Sequence, residues 1–303
     1  MTLQRTKFQR AVLIENPASR RGNTAVLDEG VSSLKRAGLS VEKVAAESVE
    51  QSREAILRCG KEVDLVIVAG GDGTVSSCAP ALLERGLPFA ILPLGTANDL
   101  ARSLGITDLD QAFAAIQAGF TAAIDIGVVN GHHFFNVANL GLGVKVTEEL
   151  TPELKQRWGV LSYCKALFSA LARHRQFKVS INADGNNYSM RSIQLAVGNG
   201  RFYGGGNAVH ASAKITDGLL HLYSLRPQGV RELLTLAPLL RIGRHDDVRR
   251  TFTVEGQQIR VETRPEGMAI HADGEPVTET PAEFMVKPSA LTVVVPEQAG
   301  EGI

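Results

Sequence analysis

The sequence predicts an α/β half built on a parallel sheet, followed by a half made mainly of β-structure of sandwich or barrel type. Three observations predict it. Apolar runs and helical patterns alternate through the first 125 or so residues. From about Thr121 onward, short alternating runs separated by Asn-Gly and Asp-Gly turn signals take over. The chain also has 303 residues, enough for about two domains at roughly 100–200 residues each.

In the first half, Ala11 to Glu15 reads as a buried strand that ends in the turn Asn16-Pro17-Ala18-Ser19. Thr24 to Ala37 reads as a helix stopped by Gly38, and Leu39 to Val44 as a second strand. Ser48 with Gln51 has the spacing of a capping box, which predicts a helix running to Cys59. Asp64 to Ala69 is a continuous apolar strand, the pattern of burial on both faces. It leads into Gly70-Gly71-Asp72-Gly73-Thr74 and a helix to about Glu84. Phe89 to Leu92 is a fourth strand, followed by Pro93-Leu94-Gly95-Thr96-Ala97-Asn98-Asp99 and another helix.

The second half offers strands at Ala123–Val129, Phe134–Ala138, Phe177–Asn182, Ile193–Val197, Leu219–Leu225, Thr251–Glu255 and Ile259–Thr263. Glu153–Arg173 and Val230–Arg241 read as helices between them. Leu291–Val295 reads as a last strand that suits either half.

Composition removes several function classes. Apolar residues make up 44% and charged residues 21%, as in a globular protein rather than a disordered or coiled-coil one. Thirty-two basic residues balance 32 acidic ones, and aromatics are only 5%. Nucleic acid is therefore not an expected partner, since both a charged surface and a stacking platform are missing. The three cysteines, Cys59, Cys78 and Cys164, are widely spaced, which excludes a zinc ribbon and fits a reducing cytoplasm. No apolar stretch approaches a membrane span of about 18 residues, and Ala11–Ile14 is too short for a signal peptide.

Four glycine-containing clusters carry the chemistry. Gly70 to Thr74 follows a buried strand and opens a helix, where free N–H groups and the positive end of the helix dipole favour an anion. It lacks the lysine of a P-loop and fails the dinucleotide spacing G-x-G-x-x-G. The bland alternative is a tight turn that uses glycine for geometry alone. Asp72 cannot serve an anion directly, but a cation between carboxylate and phosphate reconciles the two. Gly95 to Asp99 also lies at a strand end, so both loops can face one crevice. Asn199-Gly200-Arg201-Phe202-Tyr203-Gly204-Gly205-Gly206 suggests close approach to a ligand, or else a bulge. Asp273-Gly274-Glu275 reads either as a hairpin turn or as a carboxylate poised as a base. The histidines show no metal-ligand spacing, and G-x-S-x-G is absent.

Taken in order, Asn16-Pro17, Gly70 to Thr74, Pro93 to Asp99, Gly198-Asn199-Gly200, Gly204 to Gly206, Asp217-Gly218 and Asp273-Gly274-Glu275 resemble the soluble bacterial lipid kinases. These carry the diacylglycerol-kinase catalytic domain (the YegS-like family) and are related to sphingosine kinases. The resemblance runs from about residue 10 to about 295. It implies an NAD-kinase-like nucleotide-binding domain over 1–125, completed by about 285–297, and a β-sandwich lipid domain over 126–284, with ATP in the cleft. It also implies phosphates held by Asn16, Gly70, Gly71, Asp72, Gly73, Thr74, Gly95, Thr96 and Asn98. A water–magnesium network would involve Asp72, Asp99 and Asp125. A structural Mg²⁺ would take the Asp217 side chain and the carbonyls of Lys214 and Leu219. Asp273 would be the general base, with Glu275 beside it. An aspartate at its ordinary pKa of ~3.9 is a weak base that acts late in a loose transition state.

Three departures stand out. Ser76-Ser77 replace the usual Asn-Glu, Thr216 replaces a first Asp, and Ala45 or Ala46 stands where a nucleotide-contacting Thr is usual. The expected reaction is ATP- and Mg²⁺-dependent transfer to a lipid hydroxyl, of diacylglycerol, phosphatidylglycerol or sphingoid type. The rivals are a kinase of the same fold acting on NAD or a soluble alcohol, and a non-catalytic regulator. Five retained carboxylates argue against the regulator. The expected setting is cytoplasmic, at the inner face of a membrane, with a homodimer left open. The basic, apolar-striped segments Leu154–Leu171 and Arg226–Arg250 read as interfacial helices or as helices packed on the β-half.

Overall fold

The computed structural model describes residues 3–15, 24–142, 176–203, 207–208, 213–227 and 251–301. Asn16, Gly204–Gly206 and the two expected helices at 153–173 and 230–241 lie outside the described residues.

A short strand β1 (Gln4–Arg5) precedes β2 (Arg10–Glu15). Helix α1 (Thr24–Arg36) follows, then β3 (Ser40–Ala45), α2 (Val49–Arg58), β4 (Leu65–Gly70), α3 (Asp72–Arg85) and β5 (Phe89–Pro93). The expected signals act as read. Gly38 adopts a positive φ after α1, and Ser48 accepts the Gln51 N–H at the start of α2. The return arm of the expected capping box falls one residue early, because the Gln51 side chain takes the N–H of Glu47 rather than of Ser48. All six residues of β4 and all five of β5 are buried, as their apolar runs require.

The helix expected after Asp99 is broken in two. Helix α4 (Asp99–Ser103) ends at Leu104 and Gly105, and Gly105 has a φ of 77°. Asp108 then caps a second helix, α5 (Leu109–Ala118), by accepting the Gln111 N–H.

Strand β6 (Phe120–Val129) turns through Asn130-Gly131 into β7 (His132–Phe134), and β8 (Val137–Gly141) follows. The single strand expected over Phe134–Ala138 is thus two strands, interrupted at Phe135 and Asn136. Next come β9 (Phe177–Ala183), β10 (Asn186–Ser192), β11 (Gln194–Gly198), β12 (Phe202–Tyr203), β13 (Asn207–Ala208) and β14 (Leu220–Leu225). Last are β15 (Thr251–Gly256), β16 (Gln258–Arg264), β17 (Ala269–Ala272), β18 (Glu275–Glu279) and β19 (Ala282–Val294).

Strands β3, β2, β4 and β5 form a parallel sheet in that order, and β19 lies beside β5. Strand β19 also pairs antiparallel with β6 and β16, which carries the sheet on through β16, β9 and β10. A second sheet, wholly antiparallel, runs β15-β14-β11-β8-β17-β18. It faces the β9–β16 region across a core that includes Phe134, Val179, Leu195, Leu222, Ile259 and Phe284. The parallel sheet and its helices enclose the other core, with Leu13, Ile67, Leu82, Phe89 and Leu92 fully buried in it. Phe134 belongs to the β-rich core, and its neighbour Phe135 to the α/β core, where its ring meets Phe89 at 6.0 Å. The interruption between β7 and β8 therefore lies where the two cores adjoin.

Candidate active site

Two glycine loops leave the sheet side by side. The last residues of β4 and β5, Gly70 and Pro93, are partners in the ladder, and Leu94 N–H donates to the Gly70 carbonyl at 3.0 Å. Gly71 and Gly95 then touch. A Cβ on Gly95 would lie 2.6 Å from the Gly71 Cα and 2.7 Å from Asn98 Oδ1, so neither neighbour leaves room for one. The contact between the loops requires glycine, which answers the question their sequence raised.

The two helix starts differ. Asp72 Oδ1 accepts the Leu100 N–H at 3.1 Å, so the first loop caps the helix of the second. Asn98, in a left-handed conformation, closes its own loop by accepting the Gly95 N–H and donating to the Gly95 carbonyl, both at 2.9 Å. By contrast, the cap position of α3 is Gly71, and no side chain caps that helix among the described residues. Its first turn, bearing Asp72, Gly73 and Thr74, keeps the N–H groups and dipole end that suit an anion. Thr74 is half-buried there, and Thr96 is exposed on the second loop.

Four residues beyond the start of α3, Ser76 Oγ donates to Asp273 Oδ2. Asp273 is the first residue of the turn between β17 and β18, with φ values of 48° and 93° at Asp273 and Gly274. The hairpin reading and the functional reading of this motif therefore hold together. The same carboxylate accepts Phe135 N–H at 2.8 Å on Oδ2, and Asn136 and Val137 N–H at 2.9 and 3.1 Å on Oδ1. Asp273 N–H donates in turn to the Val137 carbonyl. Interrupting β7 and β8 is what turns three consecutive amides onto one carboxylate. Asn199, fully buried, braces that turn from behind by donating to the carbonyls of Phe135 and Asp125. Burial pushes the Asp273 pKa above the ordinary carboxylate value, against the downward pull of Ser76 and the three amides. Glu275 is exposed at the start of β18 and makes no hydrogen bond to the Asp273 carboxylate.

Asp125 and Asp217 meet at another loop. Asp125, 2% exposed, accepts Gly218 N–H and Ser289 N–H, each at 2.7 Å, which ties β6 to the 214–219 loop and to the kink of β19. Burial raises its pKa, and nearby Asp217 adds to the rise against the two amides. The Asp217 carboxylate turns into its own loop. It accepts Lys214 N–H at 3.0 Å and Leu219 N–H at 2.9 Å, and His221 Nε2 lies 2.9 Å away. The other ring nitrogen of His221 is 3.2 Å from Glu255.

Among the described residues, no three His, Cys, Asp or Glu side chains form a group able to hold a metal ion. Asp217 has three donors around about four acceptor positions, one of them a histidine ring. The 214–219 loop as folded turns its one carboxylate toward its own amides and His221. Asp72 is different. One of its oxygens is engaged by Leu100, while the other has no hydrogen-bond partner among the described residues and lies beside the start of α3. That oxygen fits a hydrated divalent cation carried in by phosphates. Asp99 is buried at the first residue of α4. Of the expected site residues, the fold brings together Gly70 to Thr74, Gly95, Asn98 and Asp99, and joins Asp273 to them through Ser76. Asp125 goes instead with Asp217. The sequence reading missed Ser76 as a partner of Asp273, and missed the amides of Phe135 to Val137.

Comparison with known families covers most of the chain. Residues 10–129 match the diacylglycerol kinase catalytic domain, and residues 136–295 match the YegS C-terminal NAD kinase beta sandwich-like domain. A protein named "Probable lipid kinase YegS-like" from Enterobacter sp. (strain 638) is 33% identical over 300 residues, 95% of this chain and 97% of its own. A diacylglycerol kinase from Mycobacterium tuberculosis (strain ATCC 25618 / H37Rv) is 29% identical over 306 residues, 97% of each chain. A solved structure from Bacillus anthracis str. Sterne, assigned to the diacylglycerol kinases, superposes with a TM-score of 0.84 at 26% identity, covering 98% of both chains.

Proposed function

Because the chain belongs to the family that joins a diacylglycerol kinase catalytic domain to a YegS C-terminal domain, we propose that it transfers the γ-phosphoryl group of ATP to the hydroxyl of a lipid. One observation carries the reading. Helix α3 offers an uncapped start to phosphates and, four residues on, binds the carboxylate of Asp273. At 1.5 Å per residue the two lie about 6 Å apart along the helix, a span that suits a phosphoryl group and an attacking oxygen.

The phosphates take the first turn of α3 in the notch where Gly71 meets Gly95. Magnesium bound with the nucleotide supplies charge neutralisation, and the free oxygen of Asp72 stands beside that position. The acceptor hydroxyl donates to Asp273. As its oxygen bonds to the γ-phosphorus, its proton passes to Asp273 and the bond from phosphorus to the ADP oxygen breaks. The raised pKa of Asp273 makes it a stronger base than an exposed aspartate, and three backbone amides fix its aim.

A lipid acceptor brings the protein to a membrane surface from the aqueous side. Among the described residues no helix is long and apolar enough to cross a membrane. The test is incubation with γ-labelled ATP, Mg²⁺ and mixed micelles of a total bacterial lipid extract, with Asp273→Asn in parallel. A labelled lipid, absent with Asp273→Asn although that variant still binds ATP by calorimetry, supports the proposal. Label on a water-soluble acceptor alone, or equal lipid labelling by the variant, overturns it.

A further inference from the structure

The carboxylate of Asp273 has about four lone-pair positions, and four donors occupy them: Ser76 Oγ and the amides of Phe135, Asn136 and Val137. The amides cannot leave. Their turn is pinned between two cores by Phe134 and Phe135, braced by Asn199, and closed by the bond from Asp273 N–H to Val137. Ser76 is the one donor on a rotatable bond. An alcohol that is to give its proton to Asp273 must therefore take the position that Ser76 holds.

On the reading of Asp273 as the base, we propose that Ser76 is a placeholder for the acceptor hydroxyl: it fills the free position on Asp273 when no acceptor is bound, excludes water from it, and turns away when the lipid alcohol arrives. The exchange is hydroxyl for hydroxyl, so the carboxylate keeps the same number and kind of hydrogen bonds throughout. Water in the same place is a wasteful nucleophile. Its oxygen would bond to the γ-phosphorus, one proton would pass to Asp273, the bond to the ADP oxygen would break, and ADP and phosphate would leave. A serine two residues past the glycine loop thus sets the choice between transfer and hydrolysis.

The experiment measures ADP release from Mg·ATP without lipid, and the KM for lipid, in wild type, Ser76→Ala, Ser76→Thr, Asp273→Asn and the double variant Ser76→Ala/Asp273→Asn. Ser76→Ala should release ADP about tenfold faster, the scale of one charge-assisted hydrogen bond, with no rise in KM for lipid. Ser76→Thr should stay at the wild-type rate, and the double variant should lose the gain. A merely structural serine would lower kcat without raising hydrolysis. Unchanged or slower ADP release in Ser76→Ala overturns the placeholder alone, provided Asp273→Asn is inactive in transfer. Phosphate found on Ser76 itself by mass spectrometry also overturns it, since Ser76 would then be an acceptor. Full lipid transfer by Asp273→Asn overturns the base reading, and this proposal with it.

Discussion

Asp273 and Asp217 are folded in the same manner and end with opposite character. Each carboxylate is wrapped by backbone amides of a turn, three for Asp273 and two for Asp217. Burial pushes both pKa values upward. Around Asp273 the opposing groups are a hydroxyl and amides, all uncharged, and burial prevails. At Asp217 burial is opposed first by the hydrogen bond from His221, then by Lys214 N–H, the His221 charge and Leu219 N–H, and the pKa falls below the ordinary value. Amide dipoles hold a carboxylate in place, and a histidine hydrogen bond beside them favours its ionised form. On the proposed reading, the first arrangement suits a base that takes a proton, and the second holds a carboxylate ionised in its loop.

The strongest way to break this contrast is to remove each charge. Asp273→Asn should lower phosphoryl transfer by about two orders of magnitude or more. Asp217→Asn should leave turnover per ATP-binding molecule within a few-fold. Similar losses in both would show that the two carboxylates share one task.

The next effect concerns support. Asn199→Ala strips the Phe135 and Asp125 carbonyls of their buried donor and should cost about 3 kcal/mol in urea denaturation. It should also slow transfer, because the amides that aim Asp273 lose their brace.

A smaller effect lies in pH and has opposite signs at the two sites. The lowered pKa of Asp217 contributes stability that is present above its unfolded value and lost as pH falls through the folded one. The raised pKa of Asp273 works the other way: its contribution is complete in acid and is lost as pH rises through the folded value. Denaturation curves from pH 3 to pH 7 should therefore show Asp217→Asn costing more at pH 7 than at pH 3, and Asp273→Asn costing less. The smallest effect sharpens the Asp273 side. Ser76→Ala removes a hydrogen bond that lowers the Asp273 pKa while no acceptor is bound, so the acid limb of kcat/KM for lipid should move to higher pH while that of kcat stays in place.

Much of this was legible from the residues. The apolar runs at Asp64–Ala69 and Phe89–Leu92 read as buried strands, and glycines just beyond both announced a crevice. Distant partners were harder to read. Phe134 to Ala138 has the pattern of one strand, and nothing local breaks it; the break is imposed by Asp273, 137 residues downstream of Asn136 in the chain. Ser76 reads as an ordinary polar residue on a helix that departs from the family pattern. The fold gives it a partner 197 residues away. Strands β10 and β18 escaped notice because one face of β10 is polar and β18 is largely solvent-facing, so their alternation is faint.

Strand β19 has a consequence for how such a chain is made. It is the last strand of the described chain, yet it lies against β5 of the first-made sheet and against β6 and β16 as well. Until residues 282–294 leave the ribosome, β5 is a bare apolar edge, able to pair with any extended segment nearby. The N-terminal sheet thus matures only once residues 282–294 have been made, so a polypeptide cut short before residue 282 should fail as a sticky half-sheet rather than persist as a folded α/β unit.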